Sequence, residues 1–410
     1  MSTAAKRNLQ LDALRGIAIA LVIGRHLQMP RPVNGPIGAF ADVWYTIGWL
    51  GVDLFFVLSG FLIGGLLLTE HHKRGTIHVG RFLIRRGLKI YPPYFVFIAY
   101  LIAMPTAKAL ASGGDGPATA VDLWLQYWPN LLFLQNYVGS NPAGHTWTLA
   151  VEEHFYMTLP FALVALTAMR RTRLLIPLCL VIVPLFVLTL RAVSVWTSDP
   201  FAAKMSATHL RLDALLFGVG IRALSQYLPE RFAALRDWRR LLFVAGIVLW
   251  LPNLLFNPGL PLMKTLGLTC TFLGAGAFLI AAYHTHAADF GVSRPLVSAA
   301  AGLAGWIGFY SYAIYLWHVT AIGILERVVG RRVLGTGGDA SQIGWAISAL
   351  VVSAGAILAG VIAAMIVEWP VLRLRDRFFP SRSGSLPAEG SQAPATPTPA
   401  ARAGAEPSAI

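Results

Sequence analysis

Long apolar stretches broken by short polar ones run along nearly the whole chain. Ten of these stretches are long enough to read as membrane helices, at about 11–28, 47–69, 91–108, 148–169, 174–191, 207–224, 241–257, 264–284, 301–325 and 343–367. A helix rises about 1.5 Å per residue and a bilayer's hydrocarbon core is about 30 Å thick, so roughly 17–25 apolar residues suffice to cross it. The pattern therefore predicts an all-α integral membrane protein with about ten transmembrane helices. The first and sixth stretches are the most polar, carrying Arg15, Arg25, His26, Arg211 and Asp213. The first begins after Lys6 and Arg7, as a signal peptide would, but its internal charges and the lack of a small-residue cleavage site predict a retained span.

Beyond Phe379 the pattern gives way to Ala, Pro, Ser and Gly. Residues 381–410 cannot bury enough apolar surface to fold and are expected to form a disordered cytoplasmic tail, after one membrane domain over 1–380. The segment 109–146, rich in Gly, Trp and Asn, reads as the longest outer loop.

Composition supports this class. The chain of 410 residues is 56% hydrophobic and only 13% charged, with a mean hydropathy of +0.62. A soluble domain carries about 25% charged residues, so most of this surface must face lipid. That excludes a soluble enzyme, a disordered protein and a disulfide scaffold. The two cysteines, Cys179 and Cys270, sit in apolar runs and give neither disulfide nor metal spacing. The net charge of +14 has a topological explanation. With an internal N-terminus, twenty-two Lys and Arg fall on the cytoplasmic side and eight on the other, which predicts both termini inside.

Charged side chains are costly at membrane depth, so each marks a functional candidate unless it pairs structurally. Arg15 and His26 are eleven residues apart, which on a helix is three turns plus about 20°, so they share a face. Asp53 enters the second span at the depth expected for His26. In HTWTLAVEEHFY, Glu152 shares a face with Phe155 and Tyr156. A histidine with a nearby carboxylate is a general-base arrangement, and His26 with Glu152 is the most suggestive such pair. Arg85, Arg86 and Lys89 read either as positive-inside anchors or as a cation cluster suited to the phosphates of a nucleotide-like donor. Arg211 and Asp213 either serve a site or pair across the bundle. Ser311, Tyr315 and His318 form a polar stripe at helical spacing, which faces protein or a cavity. Glu368 reads as a structural ion-pair partner. No glycine-rich phosphate loop, nucleophile elbow or His/Cys metal spacing occurs in the sequence.

LDALRGIAIALVIGRH, GVDLFFVLSGFLI, RRGLKIYPPY, HTWTLAVEEHFY, RLDALLFG, YSYAIYLWH and EWP occur in this order. Over about residues 9–379 the chain resembles the acyltransferase 3 family of integral membrane acyltransferases, which O-acylate surface glycans and some small glycosylated products. The resemblance implies an enzyme of the bacterial inner membrane that transfers an acyl group, most simply acetyl, from cytoplasmic acyl-CoA as co-substrate to a hydroxyl of a cell-surface or lipid-linked sugar. It implies no bound cofactor or metal and no nucleic-acid partner. Arg15 and His26 match the family's arginine–ten residues–histidine motif, with His26 as the catalytic residue. Glu152 follows the family's tryptophan–serine–leucine motif, which reads Trp147-Thr148-Leu149 here and keeps the hydroxyl. Arg85 and Arg86 match the donor motif, whose last arginine is replaced by Lys89, without the bidentate fork. Asp53, Trp147, Arg211, Asp213 and His318 are assigned to the acceptor side. A small glycoside or macrolide-type product is the alternative acceptor. A sugar or lipid transporter is the rival class, and it predicts paired half-sequence repeats that the chain lacks.

Overall fold

The computed structural model describes residues 8–138, 143–200, 205–286, 289–290, 293–329 and 341–381. Each of the ten apolar stretches is helical, but fewer than ten can cross a bilayer. Among the described residues six helices are long and apolar enough: Leu50–Arg74 (α3), Val79–Ala111 (α4), Gly144–Ala168 (α6), Thr172–Trp196 (α7), Met263–Tyr283 (α10) and Gln342–Phe378 (α13). A seventh crossing results if Arg294–Phe309 (α11) and Ser311–Val329 (α12), bent by 78°, count as one span. The expectation of about ten spans is therefore corrected to six, or up to seven.

The reasons are physical. Leu9–His26 (α1) has 18 residues and carries Asp12, Arg15 and Arg25. Leu212–Tyr227 (α8) has 16 residues and reaches only about 24 Å. Arg239–Trp250 (α9) has 12 and reaches about 18 Å. With these three goes the sidedness tally, which assigned both termini to the cytoplasm by counting ten crossings. The stretch read as a long outer loop contains a further helix, Gly116–Leu131 (α5), whose N-cap Asp115 accepts from the Ala118 amide at 2.9 Å. Another, Gly35–Ile47 (α2), links α1 to α3. Of the expected disordered tail, residues 382–410 lie outside the described residues.

Helix α3 is the centre of the bundle, with 72% of its apolar window buried against 17% in α4. Alongside it lie α1 and α8. Small residues permit that approach: a Cβ on Gly60 would stand 1.8 Å from the Leu215 carbonyl oxygen, and one on Gly218 2.1 Å from the Val57 oxygen. Glycines also seat α1 on α11, where a Cβ on Gly16 would meet the Ala304 oxygen at 1.9 Å. These close approaches hold α1, which carries Arg15 and His26, against the interior of the bundle.

Candidate active site

His26 ends α1, where the helix hands over to an extended Leu27. Its Nδ1 lies 2.9 Å from the Val22 carbonyl oxygen and 3.3 Å from Nε2 of His318. The His318 Nδ1 in turn lies 2.5 Å from the Tyr315 carbonyl oxygen. Carbonyl oxygens only accept, so in the neutral rings both protons sit on Nδ1. His318 Nε2 is then an acceptor, and the lone pair left to His26 is on Nε2. A third imidazole, His145, packs edge-on to His318 with ring centroids 5.3 Å apart. Its Nε2 donates to the Leu316 carbonyl oxygen at 3.2 Å. Its buried Nδ1 has no hydrogen-bond partner among the described residues. The Tyr315 hydroxyl ties this cluster down, donating to the His145 carbonyl oxygen at 2.7 Å and lying 2.6 Å from Thr148 Oγ1.

Three cavities run through the bundle and share lining residues. His26 and His145 line one of about 470 Å³, with Trp147, Arg211 and Tyr315. A central cavity of about 150 Å³ is lined by Arg15, Ser59, Arg86, Lys89, Glu152, Tyr156, Thr148 and Ser311, among others. Val52 and Tyr315 belong to both and form their common wall. The third, also about 150 Å³, is lined by Glu70, Arg81, Arg85 and Arg375, and shares Arg86 and Lys89 with the central one.

Glu152 sits in the central cavity and not beside His26. Its Oε2 accepts from the Tyr156 hydroxyl at 3.1 Å, and Ser59 Oγ lies 2.7 Å from that hydroxyl. Arg86 stacks over the Tyr156 ring at 5.3 Å, and both Arg86 and Arg15 are within electrostatic reach of Glu152. Glu368, in a π-helical turn Ala364–Glu368 of α13, is within reach of Lys89 and Arg15. The neighbours of Glu152 in sequence point elsewhere: Glu153 accepts from the Tyr91 hydroxyl at 2.5 Å, and His154 Nδ1 meets Thr208 Oγ1 at 2.6 Å.

Arg85 is shared between the Phe379 carbonyl oxygen and Asp376, the latter at 3.1 Å. Arg81 donates to the Pro380 carbonyl oxygen at 2.6 Å. The end of α13 and the residues after it therefore lie across the basic cluster.

The remaining charged candidates pair with one another. Arg211 donates to Asp53 at 2.8 Å, and Arg191 binds Asp213. All four are buried, and the two pairs tie together α3, α7 and α8. Arg211 alone of these borders a cavity, with its guanidinium 5.5 Å from the Trp147 ring and 5.7 Å from that of Phe56. Asp53 and Asp213 line none of the three cavities. Among the described residues no group of three or more His, Cys, Asp or Glu is arranged to hold a metal ion.

The profile of the family described as "Acyltransferase domain", the third of the acyltransferase families, matches residues 8–369. The chain belongs to the acyltransferase 3 family. It is 27% identical over 339 residues to the peptidoglycan O-acetyltransferase OatA of Listeria monocytogenes, covering 78% of this chain and 50% of that protein. A putative O-acetyltransferase of Staphylococcus aureus (strain COL) is 28% identical over 328 residues, 77% of this chain and 51% of the relative. The O-acetyltransferase OatA of S. aureus (strain NCTC 8325) is 26% identical over 330 residues, 76% and 50%. The chain thus spans about half the length of these curated relatives. No solved structure matches it.

Within this acyltransferase 3 chain, four residues that line the cavities have no role of their own in the sequence analysis. The one sequence signal for His145 is its place two positions before Trp147, the start of the motif that carries Glu152. Tyr315 reads in the sequence only as part of a stripe, yet it walls two cavities. Tyr156 holds Glu152 and carries Arg86. Arg375 joins the basic cluster from the far end of the chain, where its run of charges gave no hint of a partner 290 residues earlier.

Proposed function

We propose that this chain is a membrane O-acyltransferase, most simply an acetyltransferase, that moves the acyl group of an acyl-CoA to a sugar hydroxyl presented at the His26 cavity. The observation that carries this reading is the chain of adjoining cavities, which links a cluster of five cations to a histidine whose Nε2 has no hydrogen-bond partner among the described residues. Arg81, Arg85, Arg86, Lys89 and Arg375 suit the phosphates of the donor, as charge-assisted partners in a partly buried mouth. The donor's pantetheine arm then lies along the central cavity, between Ser59, Tyr156 and Tyr312. Its thioester reaches the wall formed by Val52 and Tyr315.

At that wall His26 Nε2 accepts the proton of the acceptor hydroxyl as its oxygen attacks the thioester carbonyl. The C–S bond breaks, and the CoA thiolate leaves with the proton that the His26 imidazolium returns, which regenerates the neutral base. The Val22 carbonyl and His318 hold the imidazole tautomer, the part a carboxylate plays in other general-base pairs. Glu152 is a positioning residue one cavity away, balancing Arg15 and Arg86 beside the donor arm. The name of the L. monocytogenes relative points to glycan O-acetylation, and a cell-surface sugar is the acceptor class it suggests for the His26 cavity.

The test is base-labile ester on the surface glycan of a strain lacking the gene. Complementation with wild type restores the ester, and His26→Ala at equal membrane abundance does not. Restoration by both would remove His26 from the chemistry, and restoration by neither would remove the surface glycan as acceptor.

A further inference from the structure

The three cavities differ in charge, and the difference bears on the acceptor. The central cavity contains Glu152 and the basic-end cavity Glu70, but among the described residues no carboxylate lines the His26 cavity. Three cations do: Arg25, Arg211 and Lys264. Arg211 is matched by Asp53 at 2.8 Å. The other two have no ion pair among the described residues. Arg25 places its guanidinium carbon over the Tyr45 ring, 4.2 Å from the centroid. Arg31 occupies the same ring at 4.2 Å and takes the carboxylate on that helix, Asp42, at 2.6 Å. Lys264 is held at the cavity by the π-helical turn Met263–Gly267 at the start of α10.

Two uncompensated cations in a concave, partly desolvated site set up a positive field that attracts an anion. Four aromatic side chains, Tyr45, Trp49, Trp147 and Tyr315, share the same walls. The Tyr45 ring is taken by Arg25 and Arg31, and the other aromatic side chains offer flat apolar surface with polar tips, of the kind a sugar ring packs against.

Resting on the acyltransferase reading, which leaves the acceptor's chemistry open, we propose that the acceptor is an anionic sugar. Its carboxylate or phosphate is held by Arg25 and Lys264, which sets its hydroxyl beside His26 Nε2. The bond made and broken is unchanged: the hydroxyl oxygen takes the acyl group and its proton passes to His26. The anion takes no part in the reaction and serves only to select and orient.

The test is calorimetric titration of the full chain, in nanodiscs of zwitterionic lipid and without acyl donor. The probes are methyl glucuronide, glucose 6-phosphate and methyl glucoside. At least one charged sugar should bind about tenfold tighter than methyl glucoside. Whether it is the glucuronide or the phosphate decides between a uronic-acid carboxylate and a phosphate as the natural group. Arg25→Met and Lys264→Met should each erase most of the preference. CoA titrated into the same samples, at the opposite end of the cavity chain, reports that both variants remain folded.

Equal binding of the neutral sugar, no binding of any probe, or a preference that survives both substitutions overturns the proposal. Ester formation is then measured separately with acetyl-CoA added. Ester on methyl glucoside without charge preference keeps the acyltransferase reading and sinks this one. Charge-selective binding with no ester on any probe does the reverse.

Discussion

His318 Nε2 stands 3.3 Å from Nδ1 of His26, the two rings edge to face with centroids 4.8 Å apart, although 292 residues separate them in the chain. His318 is fully buried and its own Nδ1 is committed to a backbone carbonyl. It cannot rotate freely, so it fixes the plane of the His26 ring as well as its tautomer. His318→Ala is expected to lower acyl transfer by about 10–100-fold, since an orienting partner of this kind contributes about that much to the group it holds. His26→Ala should cost more, about 10²–10⁴-fold, the usual share of a general base. CoA affinity, measured by equilibrium binding, should stay unchanged in His318→Ala. A loss of CoA binding in parallel with transfer would instead make His318 a residue of the bundle's stability.

The two buried ion pairs make a different prediction for residues that a sequence reading assigns to the acceptor. Asp213 is 1% exposed and is bound by Arg191, which is itself 1% exposed. Removing one partner of such a pair leaves an uncompensated buried charge and costs about 3–5 kcal/mol. Asp213→Ala should therefore lower the thermal transition of the detergent-solubilised chain sharply, with acceptor affinity intact in whatever fraction stays folded. An unchanged transition with weakened acceptor binding would return Asp213 to the site.

Asp376 competes for Arg85. It is more than half exposed, and the guanidinium it binds lines the basic-end cavity. A phosphate entering that cavity has to share Arg85 with this carboxylate. Asp376→Ala is expected to tighten CoA binding by about two- to fivefold at low salt, an effect that fades as ionic strength rises past the screening range. Weaker binding in Asp376→Ala would mean that the carboxylate aims Arg85 at the phosphates.

Much of this site was legible in one dimension because helical periodicity reports faces directly. Arg15 and His26 do share the inward face of α1, and Ser311, Tyr315 and His318 do form one polar stripe. Periodicity carries no information on depth across different helices, so the pair that the sequence suggests, His26 with Glu152, falls in two adjoining cavities. The span count failed for a related reason. Hydropathy alone treats α1, α8 and α9 as crossings, whereas 18 residues with three charges, or 16 and 12 residues of helix, are too polar or too short. Partner choice was also hidden. Arg211 and Asp213, two residues apart, each pair with a different helix, and no spacing rule distinguishes that from pairing with each other.

The α3–α8 contact gives the last prediction. Gly60 lies on the helix that carries Ser59 into the central cavity, and its missing side chain lets the Leu215 backbone come within contact distance. A methyl group there would meet a carbonyl oxygen at 1.8 Å, and that oxygen belongs to a helix backbone that cannot swing aside. Relief requires the two helices to separate, which costs about 1–3 kcal/mol in a packed interior and loosens the wall that holds Ser59 against Tyr156. Gly60→Ala is expected to lower both the thermal transition and transfer activity. Gly323, where a Cβ would meet nothing within 4 Å, supplies the control. Gly323→Ala should leave the transition unmoved or raise it slightly, because alanine is the better helix former. If Gly60→Ala melts with Gly323→Ala, the close approach of α3 and α8 is not what holds the central cavity in shape.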